Sequence, residues 1–292
     1  MSAGGLVTLM QPQRAPQGMR VLAFTVDLDR DCNVAVPGEM AAASRDRGRG
    51  VPPRHSASAE GMEAIADMLR SLSLPATVFA EGETLLSLPD ASVLRGHELA
   101  CHGMGHEDLT GESSGLVPDD GELRAIIRRS KEALSSRCGI VPRGFRAPYL
   151  NIDPRVLSHL GEEGFSYDSS MTAAAEEGSV TPWRLDNGML EIPLARDRDA
   201  EGRIMDSYLW AMHEGRRPVE DYFGMLERFR AGALVMATHS WHVAEGVRDG
   251  RRGKAEAAAQ TEALAQVLGR AKDLGFEVLT LEELERRFSA DR

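Results

Sequence analysis

The chain has 292 residues, of which 42% are hydrophobic and 27% charged, and its formal net charge is -11 at pH 7. That length suits an α/β barrel, and that composition is enough to bury a sizeable core. The acidic balance argues against a nucleic-acid-binding surface and favours neither a phosphate-rich substrate nor an anionic membrane.

Residues 1–18 are rich in Gly, Pro and Gln and are expected to form a flexible tail ahead of a single domain over residues 19–292. Residues 21–26 form a nearly continuous apolar run, as in a strand covered on both faces. Residues 30–57 carry Gly, Pro and five arginines with little periodicity, and are expected to form a partly ordered flap beside a site. Met62, Ile65, Ala66 and Leu69 recur at helical spacing and predict a helix over 59–72. Strands are expected at 76–79 and 98–101. A helix over 120–137 should open on a capping box of Asp119 and Glu122. A strand should begin at Gly144. Asp153 and Pro154 then read as N-cap and first residue of a helix that ends before Gly164. Further strands are expected at 165–167, 189–192, 233–237 and 276–279. Helices are expected at 219–230 and 254–273, with a last one capped by Thr280 and Glu283. Strands alternating with helices indicate an irregular (β/α) barrel of about seven parallel strands.

Cys32, Cys101 and Cys138 are odd in number and widely spaced, so they suggest reduced thiols rather than a disulfide framework. No basic head precedes an apolar run near Met1, and no run is long enough to span a membrane. The expectation is a cytoplasmic protein with no membrane partner. The sequence leaves the oligomeric state open, a homo-oligomer included.

Five segments at or just past strand ends carry the chemistry, which is where sites collect in βα folds. Each alone has an ordinary structural explanation. Asp27 and Asp29 lie two apart, so an extended backbone puts them on one face. Two such carboxylates repel unless a cation or proton intervenes, and a metal can satisfy one and leave the other as base. His102 and His106 lie four apart across Gly103 and Gly105, spaced to share a metal in a tight loop. Asp29, His102 and His106 are the candidate ligands, and two nitrogens with one carboxylate suit zinc first, with cobalt, nickel or iron also able to bind. Arg146, at a buried strand end, needs a carboxylate partner, for which Asp27 is the candidate. Pro148 stiffens the turn that follows, so the Tyr149 N–H can point at a developing oxyanion. His239 follows an apolar strand as candidate general acid, with His242 near enough to compete or to touch substrate. Trp183 and Trp241 are candidate substrate-binding walls.

These motifs, in this order over residues 20–285, resemble the polysaccharide deacetylase family with the NodB homology fold, of carbohydrate esterase type. Asp27-Leu28-Asp29, His102 to His106, Arg146-Ala147-Pro148-Tyr149 and His239 are similar to its successive motifs. The resemblance implies an irregular barrel and metal-dependent removal of an acetyl group. It gives Asp27 the role of base on metal-bound water and His239 that of acid at the leaving nitrogen. There are departures. Leu28 separates the two aspartates, Gly103 stands where Ser or Thr is usual, and the Asp-Trp of the fourth motif is missing. Asp168, Asp186 and Glu191 lie in that region as candidates to tune His239. With Glu191-Ile192-Pro193, the departures are similar to a divergent branch of cytoplasmic and allantoinase-like members.

The leading expectation is therefore a metal-dependent deacetylase of a small N-acetylated molecule, such as an amino sugar or a biosynthetic intermediate. A cyclic amide or imide hydrolase is the alternative, with a small pocket closed by residues 30–57. A degenerate barrel that only binds a ligand is the third reading, and none of the essential groups is plainly missing.

Overall fold

The computed structural model describes residues 19–290, and the expected tail over 1–18 lies outside them. One curled, mainly parallel sheet organises the chain. Across it run Tyr167–Asp168, Gly144–Phe145, Glu98–Cys101, Thr77–Ala80, Arg20–Leu28 and Ala231–His239, all parallel. The segment from Leu190 to Arg198 joins the two edges. Leu190–Glu191 pairs with Tyr167–Asp168, and Leu194 pairs with Val235. Pro193 sits at the bend between them, where a residue without an N–H cannot continue a ladder. Counting that bent segment once gives seven principal parallel strands, and the short pieces Thr172–Ala174, Ser179–Val180 and Glu277–Val278 pair parallel alongside them. Short antiparallel strands, Trp183–Arg184 and Ile204–Asp206, flank its two halves.

Strand alternation separates two cores. Val21, Ala23, Phe79, Ala100, Tyr167, Leu190, Ile192, Ala233, Val235 and Ala237 pack together inside the curl with Leu281, Leu284 and Phe288 of the last helix. Leu22, Phe24, Val26, Leu28, Val78, Leu234 and Met236 face outward, beneath the helices. Those helices are Ser56–Leu72, Asp120–Cys138, Pro154–Glu162, Val219–Arg228 and Lys254–Asp273. The caps expected at Asp119 with Glu122, and at Asp153, form as hydrogen bonds to backbone, and Thr280 pairs with Glu283 likewise. No helix among the described residues is long and apolar enough to cross a membrane.

The segment over 30–57 is tied down rather than loose. A short hairpin pairs Asn33–Val34 with Ala43–Ser44. Buried Arg30 is clasped by Glu81, and Arg54 bridges Asp31, Asp46 and Glu245. Asp31 accepts the Ala57 and Ser58 N–H groups at the start of the first helix. Backbone bonds from Ala42 to Gly105 and from Asp108 to Met40 lay the flap against the histidine loop.

Candidate active site

Two neighbouring strands deliver the two groups expected to move protons. In strand Arg20–Leu28, Val21 and Ala23 face inward, so Asp27, on the same alternation, faces inward at its C-terminal end. In strand Ala231–His239, Ala233, Val235 and Ala237 do the same, and His239 follows them. The parallel register sets Asp27 directly opposite His239.

Asp27 is buried, with a donor on each oxygen. Arg146 Nη1 donates to Oδ1 over 2.8 Å, and the Tyr208 hydroxyl donates to Oδ2. Burial alone raises a carboxyl pKa; here the Arg146 charge, aided by His102, His239 and Tyr208, outweighs burial and lowers it to about 2. Four hydrogen bonds hold the fully buried Arg146 side chain, to Asp27, Thr25 Oγ1 and the carbonyl and hydroxyl of Ser169. Its guanidinium lies 4.1 Å above the centre of the Phe79 ring. The expected Asp27–Arg146 pair is thus present, on a platform that leaves the arginine little freedom.

Asp29, His102 and His106 offer ligand atoms that all lie within 4.8 Å of one another. His102 Nδ1 lies 2.8 Å from the Arg146 carbonyl. A ring nitrogen that donates to a carbonyl leaves the other with its lone pair, as ligating histidines usually do. Asp29 Oδ1 is buried without a hydrogen-bond partner, and so is His106 Nδ1. Asp29 Oδ2 accepts from the Asn33 amide and lies 3.4 Å from His106 Nε2. Burial pushes the Asp29 carboxyl well above its ordinary range and lowers both histidines to about 4. An orphaned carboxylate oxygen beside two neutral imidazoles fits a borderline divalent cation, whose charge would reverse the cost of ionising Asp29.

The histidine loop is no helix. Gly103 has φ +75°, and a Cβ there would lie 2.8 Å from Glu107 Oε2. That carboxylate accepts the Met104 N–H at 2.9 Å. A side chain at position 103 would have to displace Glu107 and hold a left-handed backbone, and glycine avoids both. His106 and Tyr149 are also left-handed, at φ 51° and 59°. The Tyr149 ring stands edge-on to His106 with centroids 4.6 Å apart.

His239 Nε2 faces the pocket, 3.0 Å from the Tyr208 hydroxyl and 3.8 Å from Asp29 Oδ2. Burial lowers its pKa below the ordinary histidine value. The pocket encloses about 230 Å³ and is lined by Asp27, His102, His106, Tyr149 and His239, with Asn33, Ala147, Leu150 and Tyr208. A larger cavity of about 570 Å³ lies by the N-terminal end of strand Glu98–Cys101 and touches none of these groups. Size alone would select it, but the convergent titratable groups select the smaller one.

Three residues expected to touch substrate are not among those lining this pocket. His242 and Trp241 are buried behind His239, in contact with its ring. Trp183 pairs in register with Glu191, on the sheet face opposite Leu190 and Ile192. The same alternation removes the candidates for tuning His239. Tyr167, Leu190 and Ile192 point inward, so Asp168 and Glu191 point outward. There Asp168 binds Ser170, and Ser170 binds the Ala147 N–H, which fixes the turn before Tyr149. Asp186 is exposed.

Two site residues escaped the sequence reading. Asn33 lies four residues after Asp29, in a stretch without periodicity. Tyr208 lies in an irregular stretch that meets the last inner strand by one bridge to Ala237. Neither position carries a signal in a lone sequence.

Comparison with known proteins follows the same lines. The sequence model of the polysaccharide deacetylase family matches residues 45–167, which include His102, His106, Arg146 and Tyr149. A peptidoglycan deacetylase-like protein, FGM2, of Gibberella zeae is 34% identical over 99 residues, 33% of this chain and 28% of that protein. The matched segments span between a fifth and just over a quarter of the length of the curated relatives. A solved structure from Mycobacterium smegmatis, assigned to the polysaccharide deacetylases, is 25% identical with a TM-score of 0.65, covering 96% of this chain and 94% of that one. The structure of Puue allantoinase superposes with a TM-score of 0.65 at 17% identity, covering 99% and 98%.

Proposed function

Because the chain belongs to the polysaccharide deacetylase family, we propose that it is a metal-dependent amide hydrolase that removes the acetyl group from a small N-acetylated substrate. One observation carries the proposal. Asp27, His102, His106 and His239, far apart in sequence, line one pocket, with Asp29 grouped beside the two histidines and Arg146 paired to Asp27.

In this reading Asp27 takes the proton of the attacking water. Arg146 keeps that carboxylate ionised and aimed. Asp29, His102 and His106 would hold the cation, zinc first and cobalt, nickel or iron as alternatives. Bound there, it supplies Lewis-acid polarisation of the carbonyl and acidifies water. The Tyr149 N–H is assigned to the oxyanion and His239 Nε2 to protonation of the leaving nitrogen. Residues 19–292 act as one catalytic unit. A cytoplasmic setting is supported by three cysteines that are all unpaired.

The pocket volume supports a compact substrate over a polymer chain, and the anchored segment over 30–57 supplies Asn33 to its wall. Those two facts also support a second reading, hydrolysis of a cyclic amide or imide, and the allantoinase likeness in fold accords with it. Metal analysis, with acetate release measured across a panel of N-acetyl compounds, tests the first reading. Asp29→Ala and His106→Ala should lose both metal and activity. A wild-type protein that binds no divalent cation, or retains full activity in both variants, overturns it. Ring opening without acetate transfers the assignment to the second reading.

A further inference from the structure

We propose that His242 and Glu214 are positioning residues for His239, fixing on which ring nitrogens its protons sit. This rests on the reading of His239 as the acid. The family resemblance expects a carboxylate against that histidine, and no carboxylate among the described residues reaches its Nδ1. Another imidazole does: His239 Nδ1 and His242 Nδ1 are 3.3 Å apart. Beyond it, His242 Nε2 lies 3.6 Å from Glu214 Oε1, with both side chains buried.

Counting donors gives the line one direction. A carboxylate only accepts, so the single Tyr208 O–H is turned to Asp27, and His239 Nε2 lies 3.0 Å from the same hydroxyl oxygen. At the far end the Glu214 carboxylate also only accepts, taking the Val247 N–H at 2.8 Å. His242 Nε2 makes no hydrogen bond; the Glu214 carboxylate 3.6 Å away favours the tautomer with the proton on Nε2, which leaves Nδ1 with a lone pair. That lone pair receives His239 Nδ1–H. With Nδ1 given to His242, His239 presents Nε2 to the pocket, the atom assigned to the leaving amine.

The surroundings hold the second imidazole in plane. His213 stacks on His242 at 5.4 Å and 7°, and is itself fixed by Gln260 and Thr238. Arg252 ties the carbonyls of His242 and His213 together. The Trp241 ring centre lies 3.8 Å from that of His242. Neither His242 nor Glu214 lines the pocket, so each acts through His239. The closing cap of the short helix Trp210–His213 thereby does the work that the missing Asp-Trp would do.

Long-range proton–nitrogen spectra of the metal-free protein test this without any turnover. Wild type should show His242 protonated on Nε2 and not on Nδ1, and Glu214→Leu should release that tautomer, whereas Glu214→Gln, which keeps an acceptor, should preserve it. His242 protonated on Nδ1 in wild type overturns the proposal, and this holds even where a variant fails to fold. Kinetics then separate positioning from support. His242→Phe should lower kcat on an unactivated amide by about 10²-fold at unchanged KM, and on an activated aryl ester by no more than about threefold. Equal losses on both substrates overturn the proposal. If wild type hydrolyses no acyl compound, the assignment of the acid fails, and the tautomer result still stands by itself.

Discussion

Asp27 and His239 face each other across one rung of two adjacent parallel strands, and the hydroxyl of Tyr208 bridges them. The proposed base and acid are therefore coupled through backbone register, not through a flexible loop. A shift of one residue in either strand would turn one of them out of the pocket. The groups that hold them, Arg146 on one side and His242 on the other, come from separate elements.

Tyr208→Phe removes the bridge and leaves the ring. Asp27 then keeps Arg146 and loses its second donor. A hydrogen bond to a charged group contributes about 1.5–3 kcal/mol, so kcat should fall between roughly 10- and 100-fold, with secondary structure unchanged by circular dichroism. Wild-type turnover in Tyr208→Phe would remove the hydroxyl from the account.

Arg146→Met leaves the Asp27 carboxylate buried and unpaired. The expected cost in urea unfolding is about 3–5 kcal/mol. Asp27→Asn in the same background should restore part of that stability while activity stays lost. A double-mutant cycle measures the coupling, and additive losses would show that the pair is not the cause.

Acid should destabilise the metal-free protein in two stages. Burial depresses His102, His106 and His213 to about 4, from an ordinary value of 6.5. The unfolded chain therefore takes up more protons between those values, and stability falls as pH drops from 6.5 towards 4. Asp27, depressed to about 2 from 3.8, stabilises above 3.8, and that contribution is lost as pH falls through 2. Urea midpoints measured against pH in chelator should show both limbs. Replacing His102 and His106 with Gln should flatten the first limb, leaving the shares of His213 and of the other depressed histidines, His239, His242, His55 and His97. An unaltered slope would contradict the assignment.

Gly61 marks where the first helix meets the loop after His239. A Cβ there would lie 1.8 Å from the Ser240 carbonyl oxygen, with backbone on both sides. Gly61→Ala would gain about 0.4–1 kcal/mol from chain entropy if the site were open. Here the clash should outweigh that gain, lowering Tm by several degrees and displacing Ser240 with the histidines beside it. A variant as stable and active as wild type would mean that the helix moves away freely.

Much of this protein follows from sequence alone. Apolar runs and capping residues locate the long helices and the inner strands, because those signals are local: one face of a helix, alternate positions of a strand, one hydrogen bond at a helix start. Asp27 and Asp29 share a face by period two, and a buried arginine needs a carboxylate, so the Asp27–Arg146 pair is legible before any coordinates. Of the pieces between residues 171 and 207, the strand at Leu190–Glu191 is legible as an apolar run, but most of the others are not, since two- and three-residue strands carry no period. Tertiary structure alone decided the rest. Register placed Tyr208 between Asp27 and His239, and alternation sent Asp168, Glu191 and Trp183 to the outer face. Burial put His242 behind His239, where it reaches Glu214. Each of these depends on which strand lies beside which, and spacing within a single segment does not encode that.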